Sequence, residues 1–191
     1  MKPDIQRELI PRDDTVHLIG ALSAMKGKLL DAAQQWELLD GSSHVPATPS
    51  YTALLQHAAD AQDLSHDVLQ LTADFARSPR RTTRAGSAVL AHLATAATMS
   101  SHAAPHFTET AESALSLPRS SHPTDRHRHY LKNRMIIDHA SARAFLRRTS
   151  ESLRDAAKEL DDHLGFHRFV SRLTPRESPA LPPPRLSGRH R

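Results

Sequence analysis

Apolar side chains near the start of the chain recur at alternating spacings of four and three residues. This seam occupies residues 13–40 and consists of Leu18, Leu22, Met25, Leu29, Ala32, Trp36 and Leu39. Heptad spacing of this kind places the side chains on one face of a long amphipathic helix that packs against partner helices. Asp13 and Asp14 supply an N-cap and first-turn charge, and Gly41 marks the end of the helix.

A second stretch, residues 50–76, has the same period, and its two sides differ in character. One side is apolar and consists of Leu54, Ala58, Ala61, Leu64, Val68, Leu71 and Phe75. The opposite side is acidic and carries Asp60, Asp63, Asp67 and Asp74. This pattern predicts an amphipathic helix. Its acidic face is either a solvated surface or a site for a basic partner protein, including the basic helix of a second copy.

The third helical stretch is interrupted by a proline. Hydroxyl side chains up to Thr83 provide N-caps, and Val89 and Leu93 then resume the helical period. Pro105 lacks the backbone N–H that an interior helical residue donates, and its ring clashes with the preceding turn. The sequence therefore predicts a kink or a restart within residues 100–106.

The last helix is predicted to be the longest. It begins at Thr124 or Asp125, and its apolar face consists of Leu131, Met135, Ala142, Leu146, Leu153, Ala156, Leu160 and Leu164. With Gly165 as its C-cap it spans about 40 residues, or roughly 60 Å. Because the first two helices are shorter, its end needs cover from the N-terminal arm or a partner chain. The arm offers Ile5, Leu9 and Ile10, and the side chains to be covered are Leu160, Leu164, Phe166 and Phe169.

These stretches together predict an all-α fold. Long helices joined by short connections favour antiparallel neighbours, so we expect an up-down-up-down four-helix bundle with a kinked or broken third helix and a long fourth helix. Residues 1–12 form an N-terminal arm, and residues 13–173 form the bundle. Residues 174–191 are rich in Pro and Arg, which predicts a disordered tail.

The composition agrees with a helical protein and excludes several kinds of chemistry. The 191 residues include six Gly, one Trp, two Tyr and five Phe, a bias away from sheet formers. The absence of Cys excludes disulfides, thiolate nucleophiles and Cys-ligated metal centres. Neither an export signal nor an 18-residue apolar run is visible. We therefore expect a cytoplasmic protein with no membrane partner.

The net charge of +4 conceals a division between the two halves of the chain. Residues 1–76 are acidic, whereas residues 77–191 carry most of the basic side chains. A basic stripe follows the fourth helix, and further Arg side chains occupy the loop before the third. The stripe consists of Arg128, Lys132, Arg143, Arg147, Arg154 and Lys158, and the loop carries Arg80, Arg81 and Arg84. Such a stripe either binds nucleic-acid phosphates or pairs with acidic groups of the same chain.

Histidine pairs are the candidates for metal binding. His102 with His106, and His163 with His167, have the i, i+4 spacing that lets two imidazoles reach one ion from a helix. Pro105 lies within the first pair and Gly165 within the second, so neither pair occupies an uninterrupted helical turn. The sequence favours no metal site and no cofactor.

Two further pairs combine a histidine with an aspartate on the second helix. His57 with Asp60, and His66 with Asp63, have the residue types of an acid–base or metal set, but most of them lie away from the predicted core. The chain also lacks a phosphate-binding glycine loop, a nucleophile elbow and the Glu-x-x-His pattern of di-iron bundles. The sequence therefore predicts no enzymatic activity.

These observations favour a non-catalytic helical interaction or assembly module that binds a protein partner or itself. One alternative is a DNA-binding regulator that uses the basic stripe of the fourth helix. Another is a metal-dependent enzyme that uses histidines near Pro105.

Overall fold

The computed structural model describes residues 10–39, 44–119 and 125–173, and all of its regular structure is helical. The α-helices are α1 (Arg12–Gln35), α2 (Tyr51–Arg77), α3 (Arg84–Ser101), α4 (Ala103–Arg119) and α5 (Asp125–Leu173), with a 3-10 turn at Pro79–Thr82 before α3. Within these ranges, no helix has both the length and the apolar character that crossing a bilayer requires. Residues 1–9 of the predicted arm and the predicted tail, residues 174–191, lie outside the described residues.

Helix α1 packs mainly against α5, in the antiparallel direction. At one end, the backbone nitrogen of Ile10 donates to Nε2 of His163 over 3.1 Å. Further along, Nε of Arg143 donates to the carbonyl oxygen of Ala33 over 2.6 Å. The start of α1 therefore lies beside the last third of α5, although these residues are far apart in sequence.

Helix α2 packs mainly against α3 and α4, again antiparallel. The hydroxyls of Ser65 and Ser100 lie 3.2 Å apart, and Thr72 donates to the carbonyl oxygen of Leu93 over 3.3 Å. Both α3 and α4 also pack against α5. The helices therefore form a four-helix bundle in which α2 and α5 occupy opposite corners, which confirms the predicted all-α fold.

The third helix of the bundle is broken at His102, a turn residue between α3 and α4. The break places Pro105 in the first turn of α4, where an N–H has no intrahelical partner to bond. The predicted restart within residues 100–106 is thus confirmed.

Helix α5 is longer than predicted, with 49 residues or about 73 Å of length. The expected end at Gly165 is wrong, because the helix continues to Leu173. One glycine costs only about 1 kcal/mol inside a helix, so without a left-handed turn it does not end one. As expected, Ile10 is buried with Leu160, whereas Phe166 and Phe169 remain exposed; Ile5 and Leu9 lie outside the described residues.

Helix α1 ends at Gln35, earlier than the predicted limit near residue 40. The backbone of Trp36 is extended, and its indole packs into the bundle. Beyond that point helical spacing no longer sets side-chain direction, so Leu38 is buried and the predicted seam residue Leu39 is exposed. At the other end, Pro11 is the N-cap residue rather than an aspartate.

Gly86 lies in a close approach between the start of α3 and the preceding 3-10 turn. A Cβ atom on Gly86 would lie 1.9 Å from the carbonyl oxygen of Arg80. We expect Gly86→Ala to lower the free energy of unfolding by about 1 to 3 kcal/mol, because the backbone must shift to relieve the overlap. Chemical denaturation measures this change. The matched control is Gly20→Ala in α1, where a Cβ would meet nothing within 4 Å; it should leave stability unchanged or raise it slightly.

Candidate functional site

Four ring side chains from different elements meet inside the bundle. Trp36 stacks on His57, with ring centroids 5.1 Å apart and planes at 9°. Phe107 of α4 meets the edge of both rings, at 5.2 Å from Trp36 and 5.9 Å from His57. His139 of α5 lies 5.3 Å from Phe107. We call these four residues the ring cluster; it joins the end of α1 to α2, α4 and α5.

Both histidines of the ring cluster are held neutral by their surroundings. Burial is the main cause that lowers the pKa of His139 to about 4, and the like charges of Arg143 and His57 contribute to the same shift. Burial also lowers the pKa of His57, although Asp60 opposes the shift. Nδ1 of His57 and Nε2 of His139 are buried without a hydrogen-bond partner. The ring cluster is therefore suited to packing and is sensitive to acid.

Two small cavities lie on either side of Leu38, next to the ring cluster. One of about 280 Å³ is lined by His139 and Arg143. The other, of about 220 Å³, is lined by His57 and Ser50. Both are smaller than typical small-molecule sites, which occupy roughly 300 to 1,000 Å³, so they do not by themselves indicate a ligand.

A second polar group lies where α4 and α5 meet. Nδ1 of His106 is 3.6 Å from Oε2 of Glu109 and 3.7 Å from Oδ1 of Asp138. Nε of Arg134 lies 3.5 Å from the other oxygen of Asp138. The ring of His106 stacks on Phe145 at 5.5 Å. We call His106, Glu109 and Asp138 the α4–α5 triad.

The predicted basic stripe is divided by contacts within the chain. Arg143 donates to the last turn of α1, Arg154 donates to Asp155, and Arg80 pairs with Asp14. Lys132 is half-buried. Arg154 is nevertheless exposed, as are the remaining members Arg81, Arg84, Arg128, Arg147 and Lys158.

The predicted acidic face lies on the outside of α2 and is largely exposed. Asp60 accepts a hydrogen bond from Gln56 over 2.7 Å, and Oδ1 of Asp74 lies 2.6 Å from Arg77. Asp67 lies 3.7 Å from Nζ of Lys28 on α1. Asp63 is exposed. This surface therefore retains a negative field.

Two helices carry apolar side chains on the outside of the bundle. On α5, Tyr130 is 60% exposed and Ile137 is 63% exposed. On α2, Leu69 is 57% exposed and Leu55 is 39% exposed. At three-and-four spacing each surface continues through small or polar positions that are exposed or half-buried, and these are Asn133, Ala140 and Ala144 on α5 and Ala59, Gln62 and His66 on α2. We call these surfaces the α5 outer stripe and the α2 outer stripe.

The sequence paired His106 with His102 as a candidate, whereas the structure places two carboxylates near His106. The structure brings His106 to Glu109 and Asp138, while exposed His102 lies at the helix break and contacts the ring of Phe145. The i, i+3 spacing of His106 and Glu109 was visible in the sequence. The contribution of Asp138 was not, because it depends on how α5 lies against α4. The side chain of His167, from the other predicted pair, lies outside the described residues.

Comparison with protein-family models, with curated proteins and with solved structures gives no match.

Proposed function

We propose that the protein is a non-catalytic assembly module whose copies associate head to tail, the α5 outer stripe of one copy docking on the α2 outer stripe of the next. The observation that carries this proposal is the presence of two exposed apolar stripes on opposite corners of the bundle, with matching spacing and opposite charge. Exposed apolar stripes of this kind are typical of surfaces that bind another protein.

The two stripes match in length and period. The α5 outer stripe runs from Tyr130 to Ala144 and the α2 outer stripe from Leu55 to Leu69, so each covers two heptads or about 21 Å. Heptad spacing on both surfaces allows side chains of one helix to fit between those of the other. Small residues at Ala140 and Ala59 permit close approach. These features support a helix-on-helix contact.

Charge around the two stripes is complementary. In residues 126–148 of α5 the basic side chains are Arg126, Arg128, Lys132, Arg134, Arg143, Arg147 and Arg148, against the single acid Asp138. In α2 the acids are Asp60, Asp63, Asp67 and Asp74, against the single base Arg77. A symmetric pairing of α5 with α5 would bring like charges together, whereas α5 on α2 brings opposite charges together. Because Arg143, Arg154 and Arg80 already have partners within the chain, protein association is favoured over DNA binding.

The corner positions determine the kind of assembly. Since α2 and α5 lie on opposite corners, their outer faces point away from each other. The two stripes of one copy cannot pack against each other. When the α5 outer stripe of each copy docks on the α2 outer stripe of the next, one stripe stays free at each end of the assembly. We therefore expect short chains of copies that lengthen with protein concentration and shorten with added salt.

Glutamate substitutions in the two stripes test this assembly. Ile137→Glu alters the α5 outer stripe and Leu69→Glu alters the α2 outer stripe. Each should weaken self-association at least about tenfold, because a charge in the contact loses its hydration. Sedimentation equilibrium over a range of concentrations measures the mass. Val16→Glu is the matched control, because Val16 is an equally exposed apolar residue of α1 outside both stripes; it should associate as the unaltered chain does.

Mixing the two variants distinguishes the arrangement. Ile137→Glu keeps an intact α2 stripe and Leu69→Glu an intact α5 stripe, so together they should form a complex of one copy each while each alone stays monomeric. The two glutamates repel, so the altered faces do not join. A chain that is monomeric at all concentrations contradicts self-assembly. A dimer lost in Ile137→Glu but retained in Leu69→Glu contradicts the head-to-tail contact and indicates an α5–α5 pair.

A further inference from the structure

The α4–α5 triad lies between α4 and α5 and contains none of the stripe positions, although Asp138 directly follows Ile137 of the α5 outer stripe. His106 and Glu109 lie one turn apart on α4, and Asp138 comes from α5. One ligand atom from each lies within 4.8 Å of the other two. The three side chains therefore converge on one point between two helices.

The distances within the triad are those of groups that share an ion. Separations of 3.6 and 3.7 Å from Nδ1 of His106 to the two carboxylates are too long for hydrogen bonds. Ligand atoms about 2.1 Å from a tetrahedral ion lie roughly 3.4 Å apart. Adjustments of a few tenths of an ångström in the three side chains, including half-buried Glu109, would bring the three atoms to that distance.

The burial of the triad is a second and independent observation. Asp138 is only 8% exposed. Its Oδ2 and Nδ1 of His106 are both buried without a hydrogen-bond partner, the nearest cation to Oδ2 being Arg134 at 3.5 Å. A buried carboxylate is stabilised when it is paired or when it coordinates a metal. The unpartnered Nδ1 of His106 faces Oδ1 of Asp138, and a cation between these two atoms would give that nitrogen a partner.

Neighbouring side chains hold the potential ligands in place. Arg134 faces Oδ2 of Asp138, which leaves Oδ1 directed at His106. Stacking on Phe145 fixes the ring plane of His106. Outer contacts of this kind orient ligands in metal sites. Glu109 has the most exposed side chain of the three, so an ion can enter the site from solvent on the side of Glu109.

We infer that His106, Glu109 and Asp138 bind one divalent transition-metal ion, with Zn²⁺ the best match. An imidazole nitrogen with two carboxylates suits zinc and its neighbours in the first transition row, whereas Mg²⁺ and Ca²⁺ prefer oxygen ligands alone. Two carboxylates balance the charge of the ion, and water completes the coordination. The ion links the second half of the broken third helix to α5.

Zinc titration of the metal-stripped full chain tests this site. Calorimetry should give one tight Zn²⁺ per chain, with excess Mg²⁺ failing to compete. Glu109→Gln and Asp138→Asn should each lower the Zn²⁺ affinity at least about tenfold, as expected when a ligand is lost. Glu109 is exposed enough that its variant keeps the fold, and circular dichroism verifies this for both.

The matched controls are Asp63→Asn and His66→Gln, which alter an exposed carboxylate and imidazole of α2 at the same i, i+3 spacing. Both should bind Zn²⁺ as the unaltered chain does. The inference is overturned by an unaltered chain that binds no Zn²⁺, by full affinity in either triad variant, or by loss of binding in a control.

Discussion

Replacement of Phe107 with alanine is expected to lower the free energy of unfolding by about 3 to 5 kcal/mol. Phe107 is fully buried. It contacts Trp36, His57 and His139, so its removal leaves a cavity bounded by rings from three other parts of the chain. The rings of the cluster cannot collapse into this space without giving up their mutual contacts.

Chemical denaturation, followed by the fluorescence of Trp36, measures the effect of Phe107→Ala. Phe166→Ala provides the control, because Phe166 is half-exposed near the end of α5; its removal should change stability by at most about 0.5 kcal/mol. Equal losses in the two variants would contradict the central position of Phe107 in the ring cluster.

Acidification is expected to destabilise the bundle through His139. The folded state lowers the pKa of this residue to about 4, whereas an unfolded chain holds it near 6.5. Between these values the unfolded state binds the proton more readily, so stability falls as pH falls. His139 alone should remove about 2 kcal/mol between pH 7 and pH 5, and about 3 kcal/mol by pH 4. The lowered pKa of His57 adds a loss in the same direction.

Urea denaturation at pH 7 and pH 5 measures this dependence. His139→Leu removes the titrating group from a buried position, so its stability should change much less over the same interval. His66→Gln, at an exposed position of α2, should keep the full pH dependence. A chain that is equally stable at both pH values would contradict the neutral, buried state of His139.

The helices and the break near Pro105 could be predicted from the sequence, because both depend on local chemistry. Apolar spacing decides which face of a helix is buried, and Pro105 cannot donate the backbone hydrogen bond of an interior position. The end of α5 was misplaced because Gly165 was taken as a local stop signal, although the helix continues past it. Packing around Leu160 and Leu164 lies on one side of Gly165, and a glycine without a left-handed turn does not stop a helix.

The candidate sites were predicted less well, because they depend on register between helices. Arg143 was placed in a basic stripe that either binds phosphates or pairs with acidic groups of the same chain, and the structure shows it donating to the carbonyl oxygen of Ala33, 110 residues away in sequence. The ring cluster and the α4–α5 triad also join residues from separate helices. A single sequence shows which side of a helix is buried, but not which residue of the next helix lies opposite.

The pairing of α1 with α5 also has a consequence for biosynthesis. Helix α1 has few contacts with α2, the next helix to be made, and packs mainly against the last one. Ile10 and His163, which bond in the folded chain, are 153 residues apart. Contacts of such long range slow folding. A nascent chain therefore keeps the first turns of α1 without their α5 partner until the last third of α5 has left the ribosome, and the apolar side chains of those turns are open to chaperones until then.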